Sequence, residues 1–187
     1  MSLQASLQFA LHLTDDETQE AANYFLPYTY PKNTTFLETG KEAKQLFFLT
    51  EGYIRIHADF EGKEITQWIS APGYFITDLS SWLFNQPARW NFTTLTEVSL
   101  VAISKEDYQH LQSIIASWHE KERNFIGHCF HQMEQRIFQF LSQNSEERYL
   151  AFCKDYAFLF NQVPHQYIAS LLGMTPETLS RLRRQQR

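Results

Sequence analysis

The sequence predicts an α+β fold: short antiparallel strands closing into a roll or sandwich, then one long helix, then a small all-α unit. Three observations predict it. Residues 34–104 alternate apolar and polar side chains in short bursts punctuated by Gly40, Gly52, Gly62 and Gly73. From Ser104 to Leu141 apolar residues recur at helical spacing instead. From Val163 onward the chain reads as a short helix, a tight turn and a basic second helix.

Size and composition agree with that division. With 187 residues, 43% hydrophobic and 16% aromatic, the chain can bury a sizeable core in one medium domain plus a small one. No apolar run approaches the ~20 residues needed to cross a bilayer, and the opening MSLQASLQFA lacks the basic and apolar regions of a secretory signal. A cytoplasmic location is expected. Cys129 and Cys153 fall in helical patterns without a CxxC partner, so they are expected to be buried thiols, not a disulfide or a metal site.

Along the chain, Thr14 with Glu17 forms a capping box before a helix of about ten residues that should end near Pro27. After Pro31 the period shifts to strands: TTFLE, KQLFFLTEGYIRIHAD, KEITQWIS and WNFTTLTEVSLVAIS, with FEGKE as a hairpin turn between residues 53–59 and 64–70. In the first strand of that hairpin Ile54, Ile56 and Ala58 should share one face, and Tyr53, Arg55 and His57 the other. Ser104 with Asp107 then starts a helical stretch in which Ile126, Phe130, Met133, Ile137 and Phe140 step by four, three, four and three residues. That is a heptad seam, and a seam implies either a second copy of the chain or packing on its own strands. Ser145 with Glu146 and Glu147 begins a helix over residues 148–160, whose Tyr149, Phe152, Cys153, Tyr156 and Phe160 form the floor of the small unit. The expected division is residues 1–112, 113–143 and 144–187.

The final segment carries the chemistry. Two helices crossing steeply through a short turn need a small contact residue, a turn residue free to take positive φ, and apolar anchors. Ala169, Gly173, and Ile168, Leu172, Met174, Leu179 and Leu182 supply these, with Ala169, Gly173 and Leu179 at the fifth, ninth and fifteenth positions of the usual helix-turn-helix pattern. Thr175 can cap the second helix, Pro176 suits its first position, and Glu177 suits its positive end. Thr178, Ser180, Arg181 and Arg184 are left on the faces away from Leu179 and Leu182, where an arginine can fork onto guanine in a DNA major groove. The alternative is a helical hairpin with a solvated basic end. Charge favours DNA: the chain is formally −5, yet from Glu146 onward six basic residues face four acids, leaving +2 there and −7 before it.

This order of parts resembles the Crp/Fnr superfamily of bacterial transcription regulators over nearly the whole length, and VPHQYIASLLGMTPETLSRLRR is similar to the DNA-binding segment of its Bacteroidetes-type branch. GYFITDLSSWLFNQPARWNF resembles the cyclic-nucleotide cassette of that superfamily's β-roll, a double-stranded β-helix. The resemblance implies a homodimer joined along the long helix through Ile126, Phe130, Met133 and Ile137, two reading helices on a palindromic site in double-stranded DNA, a small-molecule effector, and RNA polymerase as a further partner. In the cassette, Gly73, Phe75, Ile76, Asp78, Leu79, Ala88, Arg89 and Trp90 would line the effector pocket, with Asp78 at the ribose-binding acid.

The departures from the family pattern are specific. Ala88 falls on the phosphate-binding arginine and Arg89 one residue beyond it, so Arg89 should point out of the pocket. With Trp82, Phe84 and Trp90 nearby the pocket is aromatic, a cyclic nucleotide would lack its fixed counter-charge, and no cofactor is expected. In the reading helix Arg181 matches the base-reading arginine and Glu177 its companion acid, Gln166, Thr175 and Thr178 match phosphate-contacting positions, and Pro176 replaces a further base-reading arginine. The sequence stops shortly after this helix, so a C-terminal β-hairpin wing is not expected.

Other chemistry is not supported. His57 stands alone among the strands, and His128, His131 and Glu134 at three-residue spacing lack a fourth metal ligand, so no metal is expected. No phosphate loop or nucleophile elbow occurs, and no enzymatic activity is expected. Two readings remain: a DNA-binding transcription regulator with a divergent effector pocket, or a small-molecule-binding or protein-interaction module that no longer engages DNA.

Overall fold

The computed structural model describes residues 2–185. Helices α1 (Leu3–Leu11) and α2 (Asp15–Ala22) lead into eight strands: β1 (Leu26–Tyr30), β2 (Thr35–Leu37), β3 (Gln45–Glu51), β4 (Ile54–Phe60), β5 (Lys63–Ser70), β6 (Phe75–Ile76), β7 (Asn91–Thr94) and β8 (Val98–Ser104). Helix α3 (Leu79–Phe84) interrupts them, and α4 (Lys105–Ile114), α5 (Trp118–Ser142), α6 (Ser145–Tyr156), a 3-10 turn (Ala157–Asn161), α7 (His165–Leu171) and α8 (Pro176–Gln185) follow. The architecture is α+β, as the pattern of bursts and helical spacing predicts.

Two four-stranded antiparallel sheets, β1-β8-β3-β6 and β2-β7-β4-β5, face each other as a roll. Alternation along the strands sends Leu37, Phe47, Leu49, Ile54, Ile76, Phe92, Val98 and Leu100 between the sheets, where each is nearly inaccessible. The β4–β5 hairpin closes through Glu61 and Gly62, both at positive φ, with Phe60 opposite Lys63. A second apolar cluster joins α1, α2, α4 and the start of α5 to the sheet through Leu7, Phe25, Leu46, Tyr108 and Trp118.

Several boundaries differ from the sequence expectation for local reasons. The Thr14–Glu17 capping box forms, but its helix stops at Ala22, and Pro27 lies inside β1, where an edge position spares it from donating. The helical stretch after Ser104 is two helices, not one, because Ser117 at φ 59 breaks it, and the long helix begins at Trp118 instead of residue 113. Helix α6 starts at Ser145, capped by Asn144, whose side chain accepts from the Glu146 and Glu147 amides while Glu147 reaches back to the Asn144 N–H.

Arg55 is the main surprise within the roll. It faces away from Ile54 and Ile56 as expected, yet it is 3% exposed because α7 covers the outer face of the hairpin. Its Nε donates to Thr66 Oγ1 at 2.9 Å, its Nη1 to Glu64 Oε2 at 2.9 Å, and its guanidinium carbon lies 3.9 Å from the centre of the Tyr167 ring. A register shift between Ile56 and His57 accompanies this packing.

His57 bears the electrostatic consequence. Burial, and then the adjacent Arg55 charge, push its imidazole below the usual histidine range, against smaller opposing pulls from Glu64 and Asp59. The unfolded chain therefore takes up a proton at a pH where the folded one does not, so stability is lost as pH falls below about 6.5. The same loss is expected to be smaller in His57→Asn, measured as urea midpoints between pH 7.5 and 5.

Candidate nucleic-acid interface and roll pocket

The C-terminal unit is built from its anchors outward. Ile168, Ala169, Leu172, Leu179 and Leu182 are buried with Tyr149, Phe152, Leu159 and Val163 in one cluster, with Met174 partly buried against it. Gly173 takes φ +63, and a Cβ there would stand 2.5 Å from Cε1 of Phe140, so both backbone conformation and space demand glycine. Thr175 Oγ1 accepts the Thr178 amide at 3.3 Å, which starts α8 where capping predicts.

With Leu179 and Leu182 pinned, the rest of α8 faces outward. Thr175, Pro176, Glu177, Ser180, Arg181 and Arg184 are exposed, Thr178 is half-buried, and Gln166 is exposed on α7. The sequence-derived set, Thr178 apart, is therefore solvent-exposed on or beside α7 and α8. Arg183 belongs to the same basic cluster but is spent internally, stacked 4.5 Å from the centre of the Phe160 ring with His165 at 2.9 Å. Among the described residues Arg181 and Arg184 make no ion pair, which leaves their guanidinium forks open. Hydrogen bonds from its own backbone amide and then from Thr175 hold the Glu177 carboxyl below the usual carboxylate range.

The cassette in the roll has different chemistry. Asp78 is 4% exposed; its Oδ1 accepts the Ser81 amide at 3.0 Å and caps α3, while Oδ2 accepts the amides of Arg89 at 2.9 Å and Trp90 at 3.4 Å. The carboxylate thus occupies a cradle of backbone donors with the chain's own negative charge. Ala88 is buried in the inter-sheet core, held by the Lys41 carbonyl at 2.7 Å, and Arg89 is exposed, as its position one residue on predicts. The two residues do not form an ion pair: the backbone of Arg89, not its side chain, meets Asp78.

The other cassette residues complete this packing. Ile76 is buried and Trp90 packs beside it in the inter-sheet core, Phe75 sits against Phe25 and Phe48, and Leu79 lies by Trp82 and Ile126. Gly73 donates its amide to the Leu49 carbonyl at 2.8 Å. Tyr30 stacked on Phe36, and Phe36 edge-on to Phe47 and Phe92, fill the neighbouring roll interior.

Helix α5 presents a bare apolar stripe. Phe130 is 71% exposed, Ile137 57% and Leu141 83%, with Met133 and Phe138 beside them. Two residues of the expected seam lie elsewhere: Ile126 is half-buried against the roll, and Phe140 sits under the guanidinium groups of Arg136 and Arg148. On the same helix His128 Nε2 lies 2.9 Å from the Gln132 amide nitrogen, and among the described residues no group of three or more His, Cys, Asp and Glu converges on a metal-sized site.

Sequence reasoning missed Arg136 and Arg148, which bind carbonyls at the end of α7, Leu171 at 2.7 Å and Leu172 at 3.0 Å. Arg136 breaks the apolar pattern of its helix, which is a signal, but acceptors 35 and 24 residues away leave no local trace.

Comparison with known proteins agrees with this geometry. Residues 27–113, from β1 through α4, match the family described as Cyclic nucleotide-binding domain. No curated protein matches the sequence. Among solved structures the chain is similar to FixK2 from Bradyrhizobium japonicum, with a TM-score of 0.72 at 15% identity over 86% of this chain and 83% of that one. A CooA mutant from Carboxydothermus hydrogenoformans gives 0.69 at 17% identity over 99% and 84%. The Catabolite Activator Protein of Thermus thermophilus gives 0.61 at 20% identity over 94% and 85%. At these identities the likeness is one of fold: a β-roll, a long helix and C-terminal helices in the same order.

Asp78→Ala is expected to lower stability by about 2–4 kcal/mol, since it removes a helix cap and strands the Arg89 and Trp90 amides. Asp78→Asn, which keeps one acceptor, should lose less. Chemical denaturation of the three proteins checks this ordering.

Proposed function

We propose that the protein is a homodimeric, sequence-specific DNA-binding transcription regulator of the Crp/Fnr type, acting in the cytoplasm, with a divergent roll pocket. The observation that carries the reading is the exposed face of α8. Arg181 and Arg184 stand free above a helix whose opposite side is locked by Leu179 and Leu182. In this reading α7 and α8 form a helix-turn-helix, residues 144–187 are the DNA-binding domain, and residues 1–112 are the sensor. Arg181 reads guanine, Glu177 accepts from cytosine, and Gln166, Thr175 and Thr178 fix the backbone register. Pro176, at the first position of α8, cannot supply a base-reading arginine, so the preferred site differs from that of family members that carry one.

Dimerisation rests on α5. A stripe with Phe130, Ile137 and Leu141 largely in water is costly for a lone chain, and a second copy of the same stripe offers a matching surface. The three similar structures share the order of parts, and one is the Catabolite Activator Protein of Thermus thermophilus. No helix among the described residues is long and apolar enough to cross a membrane.

The roll does not favour a cyclic nucleotide in this reading. Asp78 already satisfies the amides that a phosphate would need, and a second anion there would face an uncompensated carboxylate. The reading assigns no catalytic step.

DNA sites selected from random duplexes are expected to bind with an affinity that falls steeply as salt rises. Arg181→Ala should weaken a selected site by about 1–3 kcal/mol, roughly 5- to 150-fold, and relax preference at one base position. Fluorescence anisotropy at several salt concentrations tests both. Undetectable binding at low salt would leave the protein a binding module without DNA, and an unchanged affinity in Arg181→Ala would overturn the assignment of Arg181 as the base reader. Ile137→Glu is expected to give a folded monomer in analytical ultracentrifugation that loses DNA affinity together with dimerisation.

A further inference from the structure

A cavity of about 440 Å³ lies where the three parts of the chain meet, between α5, α6, the outer face of β5 and the end of α7. Its volume falls in the range of small-molecule sites. Trp68, Phe140, Phe152 and Tyr156 give it aromatic walls, and Arg136 and Arg148 bring positive charge into it. Neither arginine has a carboxylate within 4.0 Å among the described residues. Asp155 also borders the space but bonds to neither.

Arg136 is the centre of the site. Its guanidinium carbon lies 5.6 Å from the Trp68 ring centre and 5.4 Å from that of Phe140, and burial pushes its pKa down to about 10. One N–H of its Nη2 goes to the Leu171 carbonyl, the single hydrogen bond it makes among the described residues. A guanidinium has five N–H donors in a planar fork, so most of its capacity is unused beside a cavity whose aromatic walls alternate with polar side chains such as Gln132 and Gln139. A partly desolvated cation in that condition is stabilised by an anion that accepts two of those hydrogens.

We propose that this interdomain cavity binds a small organic anion, a carboxylate or phosphate carried on a planar ring, with its charge on the Arg136 fork and its ring against Trp68 and Phe140. The site is separate from the cassette around Asp78, which is closed by its own carboxylate. Its regulatory meaning rests on the DNA-binding reading: Arg136 and Arg148 hold the last carbonyls of α7, so an anion on Arg136 contacts the group that orients α7 and α8. A ligand with unequal affinity for two orientations of these helices shifts the balance between them.

Calorimetry on the full-length protein without DNA tests the site independently of the DNA reading. Indole-3-acetate and adenosine 5′-monophosphate serve as probes, with neutral indole-3-acetamide and adenosine as matched controls. At least one anion should bind one per chain and at least tenfold tighter than its neutral control, and which anion does so separates carboxylate from phosphate ligands. Arg136→Gln should lose at least tenfold, and Arg136→Lys, which keeps charge without the fork, should fall between. Ala151→Leu, which fills the cavity and leaves Arg136 in place, should abolish binding while circular dichroism stays unchanged. Binding of neither anion at millimolar concentration, equal affinity for anion and neutral control, or wild-type affinity in Arg136→Gln or Ala151→Leu would overturn the proposal. If an anion binds as expected but DNA affinity does not change with it, the site stands and only its link to α8 fails.

Discussion

The contact on which the rest of the structure depends is the seating of α7 on the outer face of the β4–β5 hairpin. An antiparallel sheet can leave one face in water, and the polar residues Arg55 and Thr66 on the outer face of these strands look suited to it. Both are buried. Ser170 of α7 accepts the Thr66 amide at 2.9 Å and donates to the Glu64 carbonyl, while Tyr167 covers Arg55. Ile69 and Leu95 of the roll enter the same apolar cluster as Leu159, Ile168 and Leu171, so the two ends of the chain share a core. Because this docking fixes α7, it also fixes the direction in which α8 presents Arg181 and Arg184.

The electrostatics of the molecule follow from where each charge finds a partner. Asp78 is hydrogen-bonded by backbone donors, Arg55 is paired with Glu64 and covered by an aromatic face, and Arg183 is stacked on Phe160. Charges satisfied in this way hold structure together and have little left to offer a ligand. Arg181 and Arg184 are exposed to solvent, and Arg136 faces a cavity with most of its donors unused. The groups that remain available mark an outer surface and an inner one, joined by a single helix, α7.

Much of the fold was legible because its signals are local. The Thr14–Glu17 and Ser104–Asp107 caps, the FEGKE hairpin, the glycines at strand ends and the Ala169–Gly173 turn each need only a few neighbouring residues to be recognised. The boundaries went astray where tertiary context overrides local preference. Pro27 reads as a helix stop but lies in an edge strand paired to β8, and Ser117 breaks a continuous helical pattern because Trp118 must turn into the core beside Tyr108. The spacing of apolar residues on α5 puts five of them on one line. In space Ile126 turns to the roll and Phe140 to the arginines, and Phe130, Ile137 and Leu141 carry the exposed stripe.

The sequence by itself determined the order of parts, the fold class, the buried anchors of the last two helices and the exposure of the residues between them, since periodicity and capping act within a few residues of each other. It also anticipated the outward course of Arg89. Only the tertiary structure decided that Asp78 satisfies the cassette's amides, that Arg55 lies beneath α7, and that Arg136 and Arg148 meet at the end of that helix. Those outcomes join groups from 11 to 112 residues apart, here from Asp78 to Arg89 and from Arg55 to Tyr167. At such separations nothing in the local pattern names the partner, and which polar groups are satisfied is settled only when the elements pack.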